Sequence, residues 1–171
     1  MRCFGWMAFA LAALSALAPA AAQTRDQTAC LAGSDRNIVA ICTRFIEETS
    51  RDIGLVTSGK VRPQNKTRAL YQLHNLRGGA KQAMARRYAA DGDSRKSAEL
   101  HHRAIEDFDE AIRLDPSQPH ALLNRGNSLA ELSILDRAIQ DFEHVLRVDP
   151  KNALTFNNRG GAYCGKDVSY R

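Results

Sequence analysis

Several of the features that announce chemistry are scarce in this sequence. Aromatic residues make up six percent of the 171 residues, with a single Trp, which leaves little for stacking on nucleic-acid bases. Lys and Arg exceed Asp and Glu by only five and are dispersed along the chain. A nucleic-acid footprint needs a clustered basic face; the densest basic stretch, "RKSAELHHR" at 95–103, carries a Glu and no aromatic. No two cysteines are spaced C-x-x-C, so neither a zinc knuckle nor a thioredoxin-type redox pair is supported. G-x-S-x-G, H-E-x-x-H and a phosphate loop are also missing. The glycines and lysine of "RGGAK" at 77–81 follow no strand. Neither a catalytic residue, a metal nor a cofactor is expected, and the chain does not read as an enzyme.

No apolar run is long enough to span a bilayer. Met7 to Leu17, interrupted only by Ser15, falls short of the ~20 residues that a ~30 Å hydrocarbon core requires. Behind the positive Arg2, and followed by "APAAAQ", it reads as a signal peptide cleaved after Ala22; an uncleaved anchor is the alternative. A secreted or periplasmic chain of 171 − 22 = 149 residues results, with 23 basic against 19 acidic groups and no stable membrane span. Cys30, Cys42 and Cys164 remain, in a compartment where disulfides persist. "LAGSD" at 31–35 breaks any helix, so the leader can fold back onto a helix bearing Cys42. A Cys30–Cys42 disulfide is expected.

What the sequence does contain is a repetition. "RAIEDFDEAIRLDP" from Arg103 returns 34 residues later as "RAIQDFEHVLRVDP", with eight of fourteen letters unchanged. Ala138, Ile139, Phe142, Val145 and Leu146 share one face of a helix, and Asp141 and Glu143 lie away from it. Ala104, Ile105, Phe108, Ala111 and Ile112 repeat the pattern. Each helix is stopped by an Asp-Pro pair, at Pro116 and Pro150, because proline lacks the N–H and disfavours helix before it. Between them a further helix starts at Pro119, behind the cap candidates Ser117 and Gln118, with Leu122, Gly126, Leu129 and Ala130 on one face. A glycine inside a helix costs ~1 kcal/mol against alanine, so Gly126 suggests close approach of another backbone. Neither helix can bury its stripe alone, and such units must stack.

This unit resembles the tetratricopeptide repeat, whose signature runs W-x₂-L-G-x₂-Y, A-x₃-F and P. Leu122, Arg125, Gly126 and Leu129 fill the first four slots, and Ala138, Phe142 and Pro150 complete the pattern. Phe156, Arg159, Gly160 and Tyr163 open a further unit 34 residues on. The resemblance implies an all-α fold of stacked antiparallel helix pairs in a short right-handed solenoid. Upstream, "RGGA" at 77–80 recurs at 159–162, which makes Gly78 the crossing glycine of an earlier unit. From Gly78 to Ala104 is 26 residues, against 12 from Gly126 to Ala138. With "DGD" at 91–93 as the turn, both helices are lengthened by two turns, ~7.2 residues each; a helix broken at Gly78–Gly79 is the alternative. "DRNIVAICTRFIEE" from Asp35 echoes the second helix of a unit, with Ile38, Ile41, Cys42 and Phe45 as its apolar face. "TSGKVRPQNK" at 57–66 reads as a loop. The organisation expected is a signal peptide at 1–22, a Cys-containing leader at 23–64, and a stack at 65–171 divided into a lengthened repeat (65–118), a full repeat (119–152) and an incomplete repeat or capping helix (153–171).

The family lines a concave surface with the first helix of each unit and binds a peptide or partner helix there. Carried over, this assigns Leu123, Asn124, Asn127 and Glu131 from one unit and Asn157, Asn158 and Gly161 from the next to a groove for a protein or peptide ligand. Asparagines donate and accept, so they suit an extended backbone. A carboxylate clamp is not supported, because Leu123 stands where its first lysine belongs. His101 and His102 point ~100° apart on a helix, cannot share a metal, and read as a surface pair; His74 stands alone. Asp107, Asp109 and Glu110 read as a solvated face. The last helix, Ala153 to about Gly165 with Asn152 as cap, carries Phe156, Tyr163 and Cys164, and self-association through it is expected. The functional expectation is an exported, non-catalytic scaffold. A thiol-redox protein using Cys30, Cys42 and Cys164, or a truncated member of a longer repeat family, is the alternative.

Overall fold

The computed structural model describes residues 38–51 and 63–169. The segment expected to be a signal peptide, Cys30, Asp35 and residues 52–62 lie outside them, as do the side chains of Ile38 and Phe45. Among the described residues the fold is all-α. Its helices are α1 (Ile38–Arg51), α2 (Pro63–Ala90), α3 (Ser94–Leu114), α4 (Pro119–Glu131), α5 (Leu135–Val148) and α6 (Ala153–Ser169). Each of the helices from α2 to α6 packs on its chain neighbour, α1 packs on α2, α2 also touches α4, and α4 touches α6. The alternate helices thus form a row. No helix among the described residues is long and apolar enough to cross a membrane.

Local chemistry explains the boundaries. Gly92, with φ 84°, makes the tight turn after α2, and the Asp93 carboxylate accepts from the Lys96 amide at 3.0 Å to cap α3. Asp115 and Asp149 end α3 and α5 in more extended backbone, as a residue before proline must. Their carboxylates then accept from the Ser117 and Lys151 amides, at 3.1 and 3.3 Å. Pro119 opens α4 as expected, but neither Ser117 nor Gln118 caps it through a side chain: Gln118 holds the N-cap position without a side-chain bond, and the Ser117 hydroxyl donates to Asp115. Asn152 does cap α6, accepting from the Thr155 amide at 3.0 Å.

The lengthened hairpin is present. α2 extends twelve residues past Gly78, where α4 extends five past Gly126; α3 precedes Ala104 by ten residues, where α5 precedes Ala138 by three. The difference is seven on each side of the turn, two helical turns. The alternative of a break at Gly78–Gly79 does not hold, since α2 is continuous through both. The loop expected at 57–66 gives up its last four residues to α2, because Pro63 is tolerated in a first helical turn.

Buried side chains follow the expected faces. Ala138, Ile139, Phe142, Val145 and Leu146 are buried on α5, and Ala104, Ile105, Phe108 and Ala111 on α3. Cys42 and Ile46 of α1 form a small core with Leu73 of α2. Phe108 and Phe142 are both fully buried, and each lies against a glycine of the preceding helix, so Gly126 makes room for an aromatic ring and not for the second backbone expected there. A Cβ on Gly78 would come within 2.6 Å of the Phe108 ring, and one on Gly126 within 2.6 Å of the Phe142 ring.

Candidate functional site

Arg77 directly precedes Gly78 on α2, and Asp107 directly precedes Phe108 on α3. Both pairs therefore meet at once: the ring enters the glycine gap while the guanidinium reaches the carboxylate. Arg77 Nε donates to both Asp107 oxygens, at 2.9 and 3.1 Å. Lys81 Nζ lies 2.9 Å and His74 Nδ1 3.7 Å from the same carboxylate, which is 3% exposed. Burial pushes the Asp107 carboxyl up, but the contacts from His74, Arg77 and Lys81 outweigh it and hold the pKa at about 2. Arg77 also donates to Thr43 Oγ1 of α1, at 3.2 Å.

The second hairpin repeats the arrangement. Arg125 Nε donates to Asp141 at 2.8 Å, and its other nitrogens reach Asp141 and Asp109. The bond to Asp141 is the chief reason that the Arg125 pKa is raised. Each arginine thus joins its own second helix to the one before it.

Four sequence expectations are corrected here. Asp141 does not face away from the core: it is 5% exposed, because it borders the stripe led by Phe142 and Arg125 neutralises it there. Asp107 is likewise no solvated residue, whereas Asp109 is exposed and Glu110 pairs with Arg113 at the surface. His101 is not half of a surface pair. Adjacent helical residues point ~100° apart, and that rotation leaves His102 exposed while His101 is buried at 3%. Its Nδ1 makes no hydrogen bond. Burial lowers the His101 pKa, the Glu131 charge opposes that shift, and Arg86 and His102 add to it. His74, expected to stand alone, is drawn to Asp107.

The proposed groove residues divide into two groups. Asn124 Nδ2 donates to Asn75 Oδ1 at 3.2 Å, and Asn158 Nδ2 to Asn127 Oδ1 at 2.7 Å. These amides tie α4 back to α2 and α6 back to α4. Leu123 packs on the central core. Glu131, Asn157 and Gly161 are exposed. Sequence reasoning missed Gln82, buried on α2, whose Nε2 donates to Ser128 Oγ at 3.0 Å and the Asn124 carbonyl at 3.1 Å. Lone polar letters on one helix carry no signal for a partner 46 residues away.

Among the described residues Cys164 is the free cysteine and is exposed. Cys42 is fully buried and is not among the free thiols; Cys30 lies outside the described residues. No three His, Cys, Asp or Glu side chains among the described residues are grouped to hold a metal. Compared with protein-family models and with curated proteins, the chain matches none.

Proposed function

We propose that this chain is an exported, non-catalytic scaffold of the tetratricopeptide-repeat type, a short right-handed solenoid that binds a protein or peptide along its row of first helices. One observation carries the reading. A glycine–phenylalanine interlock occurs at Gly126–Phe142 and again at Gly78–Phe108, with the same 2.6 Å approach. The contacts of α2 with α4 and of α4 with α6 support a continuous surface for Asn124, Asn127, Glu131, Asn157 and Asn158, with Leu123 packed on the core behind it. The bonded asparagines retain free lone pairs and protons, and Asn157 and Glu131 are open to a ligand.

Placing a photocrosslinking residue at 157, and at 140 on the exposed side of α5 as control, tests the groove in the mature chain exposed to envelope extract. Adducts formed at 157 and absent at 140 support the reading. Equal labelling at both positions, or none at 157, overturns it. Export is tested separately by N-terminal sequencing, which should begin at Gln23. A Cys30–Cys42 bridge belongs to the same proposal. The burial of Cys42 supports a structural rather than a redox-active thiol, and mass mapping under non-reducing conditions should join the two peptides.

A further inference from the structure

The geometry points to a second docking surface, on α6, that receives an amphipathic helix carrying an Asp-aromatic pair. It does not rest on the groove reading, because it uses a different face. In α4, Leu122, Arg125, Gly126 and Leu129 form the seat for α5, and all but Arg125 are buried. Their counterparts 34 residues later are Phe156, Arg159, Gly160 and Tyr163. Phe156 and Tyr163 are 46% and 45% exposed, and a Cβ on Gly160 would meet nothing within 4 Å. Thr155 and Ala162, which match Ala121 and Ser128, are buried, so α6 is docked on the preceding hairpin by its proper face. The face that remains is the seat; on it the Tyr163 hydroxyl donates across to Glu143 of α5 at 3.1 Å, and the Phe156 ring and the gap over Gly160 stay open.

The two filled seats specify the occupant. Gly78 takes Phe108 while Arg77 takes Asp107; Gly126 takes Phe142 while Arg125 takes Asp141. At the third seat no carboxylate among the described residues pairs with Arg159, whose guanidinium instead lies 5.2 Å from the Phe156 ring. A helix that brings Asp followed by Phe would supply the counter-charge and fill the gap over Gly160. A second copy of this chain is disfavoured, because its Asp-Phe pairs are already buried in its own seats.

A labelled peptide with the sequence of Leu135–Val148, the segment that fills the α4 seat, is the probe, titrated against the full chain by fluorescence anisotropy. The native peptide should bind, and peptides with Asp141→Lys or Phe142→Ala should bind at least about tenfold more weakly, about 1.4 kcal/mol. In the protein, Arg159→Glu and Gly160→Leu should each weaken the native peptide similarly, with helix content by circular dichroism unchanged. Arg159→Glu should restore binding of the Asp141→Lys peptide. The proposal is overturned by absence of binding at about 1 mM, by indifference to the peptide substitutions, or by indifference to the two protein substitutions. It is also overturned if sedimentation shows a dimer that the peptide fails to dissociate and that Gly160→Leu does dissociate, which would make a second copy the occupant.

Discussion

The hairpin α2–α3 and the hairpin α4–α5 use the same contact in different surroundings. Around Phe142 the seat on α4 is apolar, with Leu122 and Leu129 buried on either side of the Arg125–Gly126 pair. Around Phe108 the corresponding seat on α2 is ionic, with His74 and Lys81 joining Arg77 on a single buried carboxylate. The longer hairpin also turns on a glycine, Gly92, where the shorter one turns on Ser133 at φ 59°. What the two share is the ring in the glycine gap and the arginine beside it. Length, flanking polarity and turn chemistry vary around that contact, so it is the element that defines the unit.

The largest effect should come from the shared contact. Phe142→Ala and Phe108→Ala should each lower stability by about 3–5 kcal/mol in denaturant melts; a near-neutral result at either would mean that its hairpin is held by other contacts. The ionic seat separates the two hairpins next. Asp107→Ala strands Arg77 and Lys81 and should cost about 3 kcal/mol, more than Asp141→Ala, because Arg125 keeps Asp109. The same asymmetry predicts an acid limb. The Asp107 pKa is depressed from 3.8 to about 2, so its contribution is complete above pH about 4 and is lost as pH falls toward 2, about 2 kcal/mol in all. Asp107→Asn should flatten that part of the pH–stability curve; an unchanged limb would assign it to other carboxylates.

Smaller effects sharpen the same contrast. His101→Ala should cost about 1–2 kcal/mol and His102→Ala less than about 0.5 kcal/mol. Because the His101 pKa is lowered from 6.5, its neutral form favours the fold, and stability should decline as pH falls below about 6.5. His101→Ala should remove that decline while His102→Ala leaves it. The smallest change is a gain: Ser133→Gly relieves a left-handed residue and should raise stability by about 0.5–1 kcal/mol, whereas Gly92→Ser should lower it.

Much of this fold could be read from spacing, and some of it could not. The Phe108 and Phe142 stripes, the Asp-Pro stops, the turn at 91–93 and the close approaches at Gly78 and Gly126 were all legible, because each is a local signal repeated in phase. The polar interior was not. On a helical wheel Asp141 sits beside the apolar stripe, where it can tip either toward water or toward the neighbouring helix. Its partner Arg125 is 16 residues away, and the partner of Asp107 is 30 residues away. The candidate groove was legible only as a set of positions: the pairing of Asn124 with Asn75 and of Asn158 with Asn127 depends on how neighbouring first helices are offset.

The sequence alone determined that α3 and α5 stop at Asp-Pro, that α4 starts at Pro119 and which apolar stripes α3 and α5 bury, because these follow from backbone chemistry and from a 3.6-residue period, whereas α2 starts four residues earlier than expected and α6 runs to Ser169, past the end expected near Gly165. Tertiary structure alone decided which charges are buried and which are solvated. Asp107 and His101 differ from Asp109 and His102 by two steps and one step of ~100° about a helix axis. Whether that step ends in water or against an arginine of another helix is settled only when the helices dock, since a buried charge is tolerated only where a partner meets it.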